Sequence, residues 1–471
     1  MTNWGTHSTY WLVVIGAALF ASPAHAQQAA SETVVPTQAP PPTPRERERE
    51  DDEPAPDQSV TSTADAASTG TASSDAASSD GETAADESEE SEDDGDVVRV
   101  GPFTFGGWVE AYYGWNFNQP SNGITDLRGF DNRHNSVNLS NVVLDAQWDW
   151  EGINGRITLQ WGSTPATYYL AETNAPSLGT GVGAQSQTMW QMVQQANVGY
   201  RIPVGGGLNI QAGLFLSPIG VEAMAVRDNY LYSRSNLFYG FPFYHTGLRA
   251  SYAITDELSV ILWGINGWNT VLDNNDEKSF AVQLSWATPG LLSANLTYLG
   301  GVERVRNAPE GRAWRHVIDL NATYTPIEWL GLQGQVTGGW EDNAFGTSAY
   351  VGTLLSARFQ IVEWLALAAR GDFFWEHVAS NALGTASAIF WPVEWVSSAT
   401  AAVEIRPHSH IVLRLEYRHD HAAGDGANGA CATMGRCAYF AGTVMGDGAT
   451  TPFVHNASTQ DTLTLGTTAW F

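Results

Sequence analysis

From about residue 103 to residue 471 the chain is written in alternation, apolar and polar residues taking turns over stretches of about ten. A period of two puts each set on its own face of an extended strand. In 142–150, Leu144, Ala146, Trp148 and Trp150 share one face and Asp145, Gln147 and Asp149 the other. The stretches 208–216, 280–286, 318–324, 330–340 and 411–417 repeat the pattern, and their polar faces carry Gln211, Asp319, Asn321, Gln333, Gln335, Arg414 and Glu416. Sixteen strands are predicted, near 103–117, 136–150, 154–162, 190–202, 207–216, 243–254, 257–268, 278–287, 290–300, 314–325, 328–340, 348–361, 364–376, 395–406, 409–419 and 461–471. The seventh fits the alternation poorly, because Trp263 and Ile265 stand on its polar face.

The connections alternate between tight turns and long stretches. Tight turns fall at 151–154, 203–206, 255–256, 288–289, 326–327, 362–363 and 407–408; long loops at 118–135, 163–189, 217–242, 269–277, 301–313, 341–347, 377–394 and 420–460. Short turns at one end and long loops at the other are the pattern of outer-membrane barrels, whose strands show lipid only every second residue. The final strand, Asp461 to Phe471, alternates Leu463, Leu465, Thr467, Ala469 and Phe471 with Thr464, Gly466, Thr468 and Trp470. Such a strand leaves an unpaired edge in a soluble protein, whereas a barrel pairs it with the first strand. The fold class expected is therefore all-β: a transmembrane antiparallel up-and-down barrel of about sixteen strands, its tight turns in the periplasm. An Ile/Val-Glu-Trp-Leu/Val repeat at 327–330, 362–365 and 393–396 fits an aromatic girdle at the lipid interface.

Composition supports this class. Aromatic residues make up 11% of the 471, with 19 Trp, while hydrophobic content is only 43%, too little for a helical bundle. Residues 11–20 (WLVVIGAALF) have the length of a signal-peptide core, and Ala24-His25-Ala26 has the form of a cleavage site, so 1–26 is expected to be a signal peptide. Residues 27–100 hold 20 Asp and Glu against 4 Arg and almost no large apolar side chain; they are expected to form a disordered acidic periplasmic linker, with 101–471 as the barrel domain. That stretch carries more than half of the net charge of -28, and the acidic balance excludes nucleic acid as a partner. Cys431 and Cys437, six apart in an exported chain, are expected to form a small disulfide.

A barrel of this size encloses an aqueous channel unless something narrows it. The third long loop, 217–242, sets Glu222, Arg227, Asp228 and Arg234 among Tyr230, Tyr232, Phe238 and Tyr239, too aromatic for a loop left in water. It is expected to fold into the lumen as the pore constriction. Arg156, Arg201, Arg249, Arg358, Arg370 and Arg414 fall on the polar face with Asp319, Asp372 and Glu416, giving either neutralised wall pairs or an arginine ladder with modest anion preference. Other groups carry less. His419-Asp420-His421 with Asp425, His408 with His410, and the 273–277 acidic turn read as solvated polar residues, so neither a metal nor a cofactor is expected.

The stretches Ile219-Gly220-Val221-Glu222, Tyr232-Ser233-Arg234-Ser235 and His245-Thr246-Gly247, with Gly107-Trp-Val-Glu-Ala-Tyr-Tyr113, Asn116-Phe117-Asn118 and Pro120, resemble the motif region of the OmpL-like outer-membrane β-barrel porin family. The likeness covers 103–471, departs from the pattern at Val221 and leaves out the acidic tail. It implies a porin-like barrel and no particular substrate. The function expected is passive diffusion of small hydrophilic solutes, without enzymatic chemistry. An envelope tether whose tail binds a periplasmic partner such as the cell wall, and a barrel lipid hydrolase using His419 as base, are the alternatives. Partners expected are outer-membrane lipid and lipopolysaccharide, with monomer and homotrimer both open.

Overall fold

The computed structural model describes residues 98–170, 172, 187–391, 393–422, 440–441 and 455–471. The expected signal peptide, almost all of the acidic stretch and the Cys431–Cys437 pair lie outside the described residues. Sixteen strands form the wall: β1 (Phe103–Asn116), β2 (Ser136–Trp150), β3 (Ile153–Trp161), β4 (Val193–Ile202), β5 (Leu208–Leu216), β6 (Tyr244–Ala253), β7 (Leu258–Ile265), β8 (Ser279–Thr288), β9 (Leu292–Val302), β10 (Trp314–Ile327), β11 (Leu330–Asn343), β12 (Gly346–Val362), β13 (Leu365–His377), β14 (Trp395–His408), β15 (Ile411–Ala422) and β16 (Thr459–Trp470). Each pairs antiparallel with the next, and β16 pairs with β1 as well as β15, so the sheet closes without an edge. A lead-in strand, Val98–Val100, folds back on Phe103–Phe105.

Closure runs to the last residue: Phe471 N donates to Gly107 O at 3.1 Å and Gly107 N to Phe471 O at 3.2 Å. Gly107 is glycine because a Cβ there would stand 2.7 Å from the Phe471 ring and 2.9 Å from Val143 O. The alternation survives in the wall. Along β16, Leu463 and Leu465 are exposed on the outer face, while Thr462, Thr464, Gly466 and Thr468 are buried on the inner one. The outer face takes the apolar residues because lipid cannot hydrogen-bond, and the inner face keeps the polar ones. Trp329 and Trp364, from two of the Glu-Trp repeats, stand exposed in short turns, whereas Trp395 begins β14 at the opposite, long-loop end. Only two of the three therefore share one interface.

Two expectations change. The stretch 341–347 is not a long loop: β11 continues to Asn343 and β12 begins at Gly346, paired through Asn343 and Gly346, so the hairpin extends beyond its neighbours. Nor is the inner face polar throughout. Trp263 and Ile265 of β7, at 5% and 1% exposed, point inward with Phe215, Leu299, Val317 and Phe374. They join one cluster with Tyr244 at the start of β6 and with Phe130, Tyr168, Tyr169, Phe238 and Phe241, contributed by loops that turn into the barrel. The seventh strand breaks the alternation because its inner face meets protein there instead of water.

Candidate functional site

The loop between β5 and β6 supplies most of what lies inside the wall. It leaves β5 at Ser217, makes a 3-10 turn at Val226–Asp228, returns through a second at Leu237–Gly240 and re-enters the wall at Tyr244. Ser233, Arg234, Ser235, Asn236 and Leu237 are no more than 3% exposed. Buried backbone N–H and C=O groups must find partners, and in this loop, which has almost no regular secondary structure, the wall's charged side chains provide them. Glu110 of β1 accepts from Val226 N at 2.7 Å. Glu416 of β15 accepts from Tyr232 N at 2.8 Å and Ser233 N at 3.3 Å. Asp372 of β13 accepts from Asn236 N at 2.9 Å. On the near side Asp319 and Gln335 accept from Gly220 N and Val221 N at 3.4 and 3.2 Å.

Arginines satisfy the carbonyls. Arg414 donates to Val226 O at 2.9 Å and Asn229 O at 2.7 Å; Arg418 donates to Arg234 O at 2.5 Å and Asn236 Oδ1 at 3.0 Å. Arg370 donates to Ser233 O at 2.6 Å and pairs with Glu222 at 2.7 Å. The loop thus reaches β1, β10, β11, β13 and β15 from its root at β5 and β6, which crosses the barrel interior. Glycines give it room. A Cβ on Gly466 would lie 2.1 Å from the Tyr232 ring, and one on Gly352 2.1 Å from Leu237 Cδ1.

The residues singled out in the sequence separate into two groups. Glu222 and Arg234 are packing groups: Glu222 also accepts from Ser235 N at 3.0 Å, and Arg234 lies over the Phe130 and Phe238 rings at 5.5 and 5.8 Å while donating to Tyr232 O. Arg227 and Asp228 stand at the loop tip, 3.6 Å apart, with side chains 28% and 56% exposed. Arg370, Arg414, Asp319, Asp372 and Glu416 hold the loop. Arg156 pairs with Asp145 at 2.8 Å and faces Asp228 of the loop tip, while Arg201 pairs with Asp149 at 2.7 Å. Arg358 shares the carboxylate of Glu404 with Arg406 and Arg414 at 2.7, 2.9 and 2.9 Å. Arg249 donates to Gln211 Oε1 and lies over Phe215 and Trp263.

Glu110, Arg406 and the pairing of Arg128 with Asp131 and Asp420 escaped the sequence reading. Glu110 and Arg406 share the parity of known inner residues, which is the signal available; Arg128 sits in a loop, where parity gives none. The cluster between β6 and the loops near Val271 is also held by carboxylates. Glu172 accepts from Tyr244 Oη and Val271 N, both at 2.8 Å, and Glu303 from Trp268 N at 2.8 Å and Ser279 Oγ at 2.5 Å. Burial pushes both carboxyls above the ordinary glutamate value.

The His419-Asp420-His421 run is split by the pleat. Asp420 points inward to Arg418 and Arg128, while His419 faces outward, its Nδ1 2.8 Å from Asp461 Oδ1. The cross-strand partners of His419 are Ala399 and Asp461, so no serine stands opposite it in the ladder. No cluster of three metal-ligating residues occurs among the described residues.

A closed sixteen-strand barrel, apolar outside, with a charged and aromatic loop laid across its interior, defines the class of outer-membrane porin-type barrels. The sequence matches the family described as "Putative beta-barrel porin-2, OmpL-like" over residues 102–471, and the chain belongs to that family. No curated protein matches it in sequence. Among solved structures it is similar to OmpT of Vibrio cholerae, with 11% identity and a TM-score of 0.47 over 80% of this chain and 100% of that one. It is similar also to an anion-selective porin from Comamonas acidovorans, with 12% identity and a TM-score of 0.47 over 78% and 99%. Salmonella typhi OmpF, in complex with daunomycin, gives 11% identity and a TM-score of 0.43 over 78% and 97%.

Proposed function

We propose that this outer-membrane porin passes small hydrophilic solutes by passive diffusion, performs no chemistry, and is narrowed by residues 217–242. The observation that carries the reading is the clasp described above: a loop crossing the interior whose backbone is bonded to buried wall carboxylates and arginines. A loop so held is part of the passage, because bonds to several separate strands fix its path. Exposed Asp228 and half-buried Arg227, which lies over the Trp108 ring, are the loop charges a solute meets at the tip; Glu222 and Arg234 keep the loop in place. The short turns face the periplasm and the long loops the exterior. The N-terminal stretch before Val98 then starts on the periplasmic side, as a tether or spacer.

Purified full-length protein in planar bilayers tests this. Stepwise ohmic conductance in potassium chloride is expected, and its absence in folded, inserted protein would overturn the reading.

A further inference from the structure

The inward arginines are unequally shared out along the barrel axis. Arg370, Arg414 and Arg418 have side chains about 1% exposed and are occupied by the loop and by wall carboxylates. Nearer the short-turn end the guanidiniums are only partly covered: the side chains of Arg156, Arg358 and Arg406 are 36%, 19% and 34% exposed, and Arg249 is half-buried. Arg156 lies three residues into β3, Arg249 four residues before the end of β6, Arg358 four before the end of β12, and Arg406 two before the end of β14. These offsets place all four within about 14 Å of the short turns, at roughly 3.4 Å per residue. The loop tip reaches the same tier, because Arg414, three residues into β15, holds the carbonyls of Val226 and Asn229 on either side of Arg227 and Asp228.

Few carboxylates of the inner wall are left for these guanidiniums: Asp149 is taken by Arg201, and Glu151, Asp256, Glu257, Glu328 and Glu363 sit in the turns beyond the strands. Arg358 and Arg406, with side chains 19% and 34% exposed, share with buried Arg414 a single acid, Glu404, whose side chain is 1% exposed. Arg414 also faces Glu416 and Asp228, so the positive excess around Glu404 falls on Arg358 and Arg406, which share that one carboxylate between them. Arg249 meets no carboxylate among the described residues. Its donors rest on the neutral Gln211, and the guanidinium carbon lies 4.6 and 5.2 Å from the centroids of the Phe215 and Trp263 rings. Arg156 and Asp145 form a matched pair, as do Arg227 and Asp228. The tier therefore has a fixed positive excess concentrated on β6, β12 and β14. A narrow, low-dielectric passage focuses such a field onto the passing ion.

We propose that this tier is an anion-selecting station, and that the solutes this porin favours are small anions of the carboxylate or phosphate class. Planar guanidiniums held by neighbours suit such groups, since each presents paired N–H donors at the spacing of two oxygens. The proposal rests on the porin reading and deepens it by naming the solute class.

The test is reversal potential across a planar bilayer under a potassium chloride gradient, on the full chain. Wild type is expected to favour chloride over potassium. Arg249→Gln combined with Arg358→Gln is expected to lower the chloride-to-potassium permeability ratio by about two-fold or more. Arg249→Lys, which keeps the charge, is expected to hold the wild-type ratio, and heat-modifiable gel migration checks that each variant is folded. Millimolar inorganic phosphate is expected to reduce chloride conductance in wild type more than in the double variant. A channel that conducts with no anion preference, or whose folded double variant keeps the wild-type ratio and phosphate sensitivity, would overturn this proposal and leave the porin reading standing. A folded protein that does not conduct would overturn both.

Discussion

Glu416 and Arg370 show what a single buried charge does in this barrel. Each has a side chain at the inner wall and bonds to backbone of the loop instead of to water, so neither can be neutralised without stranding a partner. Arg370→Gln removes the charge opposite Glu222, and stranding a buried carboxylate in this way costs about 3–5 kcal/mol. Detergent-solubilised variant protein is expected to unfold at a clearly lower urea concentration than wild type. Gly466→Val asks a steric question of the same contact, because its side chain would occupy the Tyr232 ring. Trp and Tyr fluorescence and protease sensitivity should report a displaced loop while the barrel persists. Glu303 adds a pH dependence. Burial raises its folded pKa above 4.5, so ionised Glu303 destabilises the fold at neutral pH, and that penalty disappears as pH falls through the raised value toward 4.5. Glu303→Gln is expected to melt higher than wild type at pH 8, with the difference shrinking on acidification; a difference independent of pH would contradict the linkage.

Among elements, the loop at 217–242 and strand β15 act as a unit. β15 supplies Arg414, Glu416 and Arg418 from consecutive inward positions, and all three bond to the loop. Replacing Arg414 with Gln frees both carbonyls flanking the tip. Larger single-channel conductance is expected in bilayers. β15 also explains which parts of the site could be read in advance. Its inward residues follow from parity alone, so Arg414 and Glu416 were legible. Their work was not: parity says that a side chain faces the interior, but not whether water, another wall or a loop awaits it. The same reason lies behind Trp263 and Ile265, which break the alternation of β7. In the loop itself the aromatic content was legible as a sign of packing, while the division between packed Glu222 and Arg234 and the more open tip pair, Arg227 and Asp228, was not.

At the scale of the whole molecule, the barrel closes on itself from Phe103 to Phe471. Channel properties are expected to reside there, so deletion of residues 27–97 should leave single-channel conductance and ion preference unchanged. A change in either would assign the acidic stretch to the passage.

The sequence by itself determined the closed sixteen-strand wall and nearly every inward position. Lipid outside and polar groups inside impose a period of two that each strand must carry in its own residues. Tertiary structure alone decided which bonds hold the loop in the interior. Contacts such as Glu110 to Val226 and Arg370 to Ser233 join residues more than a hundred positions apart. No local pattern encodes a bond whose partner is chosen by the curvature of the closed sheet.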